Sequence, residues 1–318
     1  MNYRAELAGV ALILGLGVLA LSPSRRRVYM TRGSLMPPTA RLLVAGDDMA
    51  YISAFGFDVA AFDNILERFR PHLRPVRPRR RQGRSRSLTP RLHLALALYY
   101  LTTPQRQKWI GLVFGLTPAC VSRAVWSGLG AMYDMMAADP DTWAIKWPTA
   151  AIMADMAAAV RAREPLLEGV FGFVDGLNLR IYQPSNLDEQ NAYYNGWLAD
   201  TYCSQVLVFL ANADSAFPHG QDLAGRILSR PKDNVVARET DGAVHLRWEA
   251  IIRQRQAAEW GMRALQGAFG RLDLRLPTHK RKRALLLTTI FSLHNFRTRK
   301  VGLNQIKEVY FPQWQTRT

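Results

Sequence analysis

Between residues 71 and 91 the chain reads PHLRPVRPRRRQGRSRSLTPR, with seven Arg from Arg77 to Arg91 and no acid. Like charges at this density repel one another, and the interspersed Pro cannot complete a hydrogen-bond ladder. The stretch therefore reads as an exposed linker that no core can absorb. Arg79, Arg80 and Arg81 at its centre suit phosphate contacts or a nuclear localisation patch; a merely solvated linker explains them equally well. The whole chain leans the same way, with 42 Lys plus Arg against 25 Asp plus Glu, a net charge of +17. Such a surplus favours polyanionic partners, nucleic acid or an anionic membrane surface. An apolar fraction of 48% and eight Trp exclude a wholly disordered chain, and 318 residues leave room for two domains. Cys120 and Cys203 are the only cysteines, in unrelated contexts, so neither a disulfide framework nor a thiolate zinc site is expected. A metal here would be held by carboxylates.

Residues 1–37 form an apolar and basic segment. Within it residues 7–21 are an apolar run of 15, followed by Arg25, Arg26 and Arg27. That is short of the roughly 20 residues a membrane span needs, and a signal peptide carries its charge before the apolar core. A buried N-terminal helix is the expectation, and membrane insertion the weaker alternative.

Residues 38–137 read as a helical region. Leu92, Leu94, Ala95, Leu98, Tyr99 and Leu101 recur at helical spacing up to Pro104, and a short helix follows from Gln107 to Phe114. After Gly115, Thr117 is placed as an N-cap with Pro118 at the first helical position. Helix, Gly-containing turn and second helix make a helix-turn-helix, in which the second helix enters the major groove. Ser122, Arg123 and Trp126 are its candidate DNA-contacting residues, although any helical bundle contains such turns. Residues 138–150, ADPDTWAIKWPTA, suit a boundary before a second domain that begins with a helix at about Ala151.

Three acids stand out beyond that boundary. Asp175 lies in a strand-like stretch over residues 169–182, where period-two alternation puts it on the face of Phe171 and Phe173. A carboxylate on such a face is costly unless paired or bound to a cation. Asp175-Gly176 is also a common tight-turn dipeptide, which is the favoured reading for that pair alone. Asp214 falls near the end of a second strand expected from Ser204 to about Phe217, a place where Asp is usually a turn residue. Glu259 sits in a long helix, roughly Val244 to Gly270, beside a stripe of Trp248, Ile251, Ile252, Ala258, Met262, Leu265 and Phe269. It could instead simply pair with Arg255 or Arg263. Together, two strand-end aspartates and a helical glutamate can hold a pair of hard cations, Mg²⁺ or Mn²⁺, that clamp an in-line displacement at phosphorus.

The stretches FGFVDGLNLRIY, NAYYNGW, ADSAFP, AGRI, RQAAEWGMRALQGAFGRL and LHNFRTRKVGLNQI, in that order, resemble the DDE endonucleases related to Harbinger transposases, particularly those of fungi. GFDVAAFDNILERF and the VSRAV of the second helix resemble the N-terminal half of that family. The resemblance covers most of residues 165–312, within a domain spanning 150–312. It implies an α+β fold: a helical DNA-binding region, then an RNase H-like mixed sheet flanked by helices. It also implies divalent-metal-dependent cleavage of DNA phosphodiester bonds by a triad of Asp175, Asp214 and Glu259. Arg255 and Lys282 would contact phosphate. DNA is the expected partner, with an accessory DNA-binding protein or a second copy of the chain as further partners, and the nucleus the expected location. The chain departs from the family between Phe209 and Asp214, where a further strand, a Pro-Gly-Ser and His-Asp-Ser segment and a helix have no counterpart. A sheet lacking one strand and one helix would displace Asp214, and a DNA-binding relic without hydrolysis is the alternative reading.

Overall fold

The computed structural model describes residues 38–73, 88–211, 215–216, 227–228, 233–236, 238–301 and 305–310. The apolar run at 7–21, Arg79, Arg80, Arg81 and Asp214 lie outside the described residues.

The first half is helical, and four of its helices start where a short polar side chain satisfies free N–H groups of the first turn. Helix α1 covers Pro38–Ala45, α2 Asp48–Phe55 and α3 Val59–Phe69. Asp47 caps α2 by accepting from the amides of Met49 and Ala50, and Asp58 caps α3 through Ala61. Thr89 and Thr117 cap α4 (Pro90–Thr102) and α6 (Pro118–Ala138), each with Pro in the first turn, and α5 (Gln107–Phe114) lies between them. Helix α4 is buried on nearly all sides, from His93 through Leu98 and again at Tyr100 and Leu101, so it forms the axis of this half. It meets α6 closely: a Cβ on Gly128 would stand 3.0 Å from that of Ala97.

Both ends of the basic stretch belong to helices. Arg70–His72 form a turn of 3-10 helix, and Pro90 and Arg91 already belong to α4. Arg91 faces inward: its guanidinium donates to Asp63 at 2.6 Å and Tyr51 at 2.8 Å, and lies over the Phe62 ring. A long stem with local partners makes it a packing residue rather than a phosphate ligand.

Residues 138–150 hold a short helix, α7 (Pro140–Trp143), followed by α8 (Ala150–Arg163). Trp143 is buried and stacks on Phe296, with ring centroids 4.4 Å apart. Phe296 lies on α12 (Lys280–Lys300), a long helix packed against both α6 and α7. Arg297 on the same helix donates to the carbonyl of Gly56 at 2.9 Å, and Arg299 to that of Thr142 at 2.7 Å. The apolar residues of the two halves thereby join one contiguous core.

The second half is built on a small antiparallel sheet, so the fold is α+β. Strand β1 is Gly172–Arg180, β2 Tyr194–Asn195, β3 Asp200–Leu210 and β4 Ser215–Ala216; a short helix, α9 (Leu187–Tyr193), precedes β2. The order is β1-β3-β2, with β4 also paired to β3. All these pairings are antiparallel; among the described residues the parallel contact is an isolated bridge between Ile181 and Leu276. Two sequence expectations change here. Asp175 and Gly176 do not form a turn: they sit mid-strand, opposite Leu207 and Val206, because flanking Phe173, Leu177 and Leu179 are all buried on one face. Nor does one strand run from Ser204 to Phe217. Strand β3 ends at Leu210, and Ser215–Ala216 returns antiparallel against Phe209 and Val208.

Helix α11 (Gly242–Ala268) covers one face of the sheet, with the short α10 (Asp233–Val236) before it and α13 (Gln305–Tyr310) near the end of the described chain. The contact centres on Gly261, where a Cβ would lie 2.4 Å from the Phe209 ring. Gly261→Ala should therefore destabilise the protein by about 1–3 kcal/mol through forced displacement of the ring. Gly130 on α6 has nothing within 4 Å of a built Cβ, so Gly130→Ala should gain up to about 1 kcal/mol. Urea unfolding should move the midpoints of the two variants in opposite directions; a Gly261→Ala midpoint at or above the parent's would mean that the Phe209 ring yields without cost.

Candidate functional site

Asp175 points to the α11 side of the sheet, where its carboxylate accepts a hydrogen bond from the amide of Gly176 at 2.7 Å. Among the described residues it has no ion-pair partner. Opposite it, Glu259 rises from α11 two residues before Gly261, at the edge of the helix face that packs on the sheet. Its side chain is more than half exposed, and Arg255, one turn earlier, approaches to only 4.0 Å. An exposed pair at that distance is worth little, so Glu259 is not fixed by it.

Asp175 and Glu259 line one cleft of about 400 Å³, together with Met262, Arg263, Gln266, Gly267 and Asp273. The sequence reading paired Asp175 with Glu259 and overlooked Asp273. No periodicity points to that residue. It reaches the cleft because the chain leaves α11 through a turn of 3-10 helix at Gly270–Asp273. That turn presses on the end of α4 and the residues just past it, where a Cβ on Gly270 would meet the Thr102 carbonyl oxygen at 2.9 Å and Pro104 Cδ at 2.8 Å.

Asp175 also borders a larger groove of about 1080 Å³ between α8, β1 and α11. Its walls include Trp147, Phe171 and Ile251, and its cations are Arg247 and Arg255. Ile252, expected on the packed stripe of the long helix, is instead half exposed in this groove. Closest contact through Gly261 turns the helix so that Ala250, Ala257, Ala258 and Leu265 take the buried line.

The donor chemistry of the cleft suits a hard divalent cation, since Asp175 and Glu259 both offer carboxylate oxygen. Among the described residues no group of three or more His, Cys, Asp or Glu is gathered tightly enough to hold a metal ion. The cleft lining thus offers carboxylate oxygen from Asp175, Glu259 and Asp273 without a formed metal-binding group among the described residues.

A second locus is the α5–α6 unit. The two helices meet at 94°, a helix-turn-helix angle. Gly115 closes α5 in the left-handed conformation, and a Cβ on Gly111 would stand 2.5 Å from the carbonyl oxygen of Leu116, so the turn folds tightly back. Of the residues expected to face DNA, Arg123 is exposed, while Ser122 and Trp126 are half-buried. Trp126 packs edge-on against Tyr100 and carries Lys282 of α12 over its ring at 5.1 Å. Two expected contact residues from distant parts of the sequence are thereby brought together, but Trp126 serves as the platform and Lys282 as the exposed charge. By length and composition alone, the bent α5–α6 pair would pass as a broken membrane span; among the described residues no single helix is long and apolar enough to cross one.

No family model, curated protein or solved structure gives a significant match to this chain.

Proposed function

We propose that this protein is a transposase-derived, divalent-metal-dependent DNA endonuclease of the DDE type, with an RNase H-like catalytic domain behind a helix-turn-helix. The observation that carries this reading is that Asp175, from the middle of β1, and Glu259, from the middle of α11, line one cleft. These acids of two separate motifs, far apart in sequence, border the same cleft beside the sheet-helix contact at Gly261. Asp175 and Glu259, with Asp214 of the ADSAF motif, would hold Mg²⁺ or Mn²⁺. When bound, such a cation supplies charge stabilisation for displacement at a DNA phosphorus. The chain's own cations Arg247 and Arg255 line the adjoining groove, where a phosphate backbone would be retained. Arg123 and Lys282 belong to the surface that holds the duplex, and Arg79, Arg80 and Arg81 add non-specific attraction and a nuclear address. A second chain or an accessory DNA-binding protein would supply target recognition that one helix-turn-helix lacks.

The test is nicking of supercoiled plasmid by the purified full chain in Mg²⁺, Mn²⁺ or chelator. Cleavage that requires the cation supports the proposal. Salt-sensitive duplex binding with no cleavage in either metal selects the second reading, a DNA-binding relic. For either reading, Arg123→Ala should weaken duplex binding and reduce the slope of log affinity against log salt by about 1, with thermal stability unchanged. An unaltered slope would mean that α6 belongs to a bundle with no groove contact.

A further inference from the structure

We propose that the tip of the β2–β3 hairpin is a stacking platform for an unpaired nucleotide, with Trp197 as its ring. Trp197 is 95% exposed, the highest value for any large apolar side chain among the described residues. An indole left fully in water is a large apolar surface with a flat π face and no intramolecular use.

The backbone that carries it is held firmly. The Asn195 side chain accepts from the amides of Trp197 at 3.0 Å and Leu198 at 3.2 Å. Ala199 takes a φ of 51°, a left-handed conformation that a non-glycine residue keeps only when its surroundings impose it. Asp200 follows at once and is gripped by both terminal nitrogens of Arg275, at 3.0 and 2.7 Å. The ring is thus presented on a fixed turn, which lowers the ordering cost of binding. Tyr194, also about half exposed, lies close by: a Cβ on Gly196 would stand 4.0 Å from its ring.

Charge decides what such a tip would take. The segment before the hairpin is tied to the cationic first turn of α12. Lys280 pairs with Glu189 at 3.2 Å, and Arg283 donates to the Tyr193 hydroxyl at 2.6 Å while lying over that ring. The same turn carries Arg281, and Lys282 over Trp126 of α6. Glu189 and Asp200 are already neutralised by Lys280 and Arg275. Arg281 and Lys282 stay exposed on the helix that grips the segment leading into this aromatic tip, and exposed cations together with an exposed ring fit a polyanion with flat faces, which is single-stranded nucleic acid. A stacked base contributes roughly ten- to a hundredfold in affinity and shows little sequence preference. The inference rests on the nucleic-acid reading above and adds an unpaired stretch beside the duplex.

The experiment compares the full chain with Trp197→Ala and Trp197→Phe, titrating oligothymidylate and a blunt duplex while following anisotropy and tryptophan emission. The expected result is that oligothymidylate quenches emission in the parent. Trp197→Ala should lose that quench and roughly tenfold or more in single-strand affinity, Trp197→Phe should keep part of the affinity, and duplex binding should stay unchanged. A side chain this exposed can be replaced without unfolding the protein. Equal single-strand affinity for parent and Trp197→Ala overturns the platform while leaving duplex binding standing. If neither oligonucleotide binds, the platform and the nucleic-acid reading fall together. Emission changes with anionic vesicles but not with oligothymidylate would assign the tip to a membrane surface and overturn the proposal.

Discussion

Asp175→Asn and Glu259→Gln should each reduce Mn²⁺-dependent plasmid nicking by at least about a hundredfold while leaving duplex affinity nearly unchanged. Each exchange keeps the shape of the side chain and removes a negative charge, so a lost metal donor can be told apart from lost packing. Weakening even an indirect partner of a metal ligand costs ten- to a hundredfold, and losing a ligand should cost more. Affinity should survive because the cations assigned to DNA, Arg123, Lys282 and Arg255, are untouched. Folding should survive too: Glu259 is more than half exposed, and the amide oxygen of an Asn at 175 can still accept from the Gly176 amide. Asp273→Asn is the informative companion, since that acid lines the cleft but belongs to no family motif. If it alone abolishes cleavage, the donor set differs from the motif-based triad. If Asp175→Asn and Glu259→Gln both cut like the parent, the assignment of the cleft is wrong.

How far the sequence could be read varied with the range of the forces involved. Helix ends were legible because their signals are local: Thr117 and Pro118 open α6 where expected, and Gly115 closes Gln107–Phe114 at the expected limit. The alternation that put Asp175 on the face of Phe173 was legible for the same reason, and in the folded sheet it outweighs the turn preference of Asp-Gly. Distant contacts were not legible. Nothing in the spacing of α11 shows that Gly261 is the point of closest approach to β3, and that approach decides which side of the helix is buried and leaves Ile252 in the groove. Residues 138–150 have the composition of a boundary, yet Trp143 becomes a core residue once Phe296 of α12 reaches it. Asp273 enters the cleft through a turn packed at Gly270 against Thr102 and Pro104, far away in sequence.

His294 should make the protein labile in mild acid, by up to about 3 kcal/mol between pH 6.5 and pH 4. It lies fully buried on α12, where neither ring nitrogen has a hydrogen-bond partner and the nearest ring is that of Phe269, edge-on. Burial, aided by the positive charge of Arg297, pushes its pKa down from the ordinary 6.5 to about 4. The folded state therefore favours the neutral imidazole. Its contribution is complete above pH 6.5 and declines as pH falls toward 4, because the unfolded chain takes up the proton first. His93 shifts in the same direction by burial, offset in part by its contact with the Ala124 carbonyl, so some slope will persist without His294. Asp139 and Asp200, held below their ordinary value by hydrogen bonds led by those from Thr142 and Arg275 respectively, act in a lower window. Their stabilisation is lost only as pH falls below about 3.8. His294→Leu should thus be nearly neutral or slightly stabilising at pH 7, since it removes two unpaired polar atoms from the core. It should also flatten the fall in stability between pH 6.5 and 4. Urea midpoints across that range for parent and variant decide the matter: parallel curves would mean that the imidazole gains a proton partner in the folded protein, and with it a polar contact inside the α12 core.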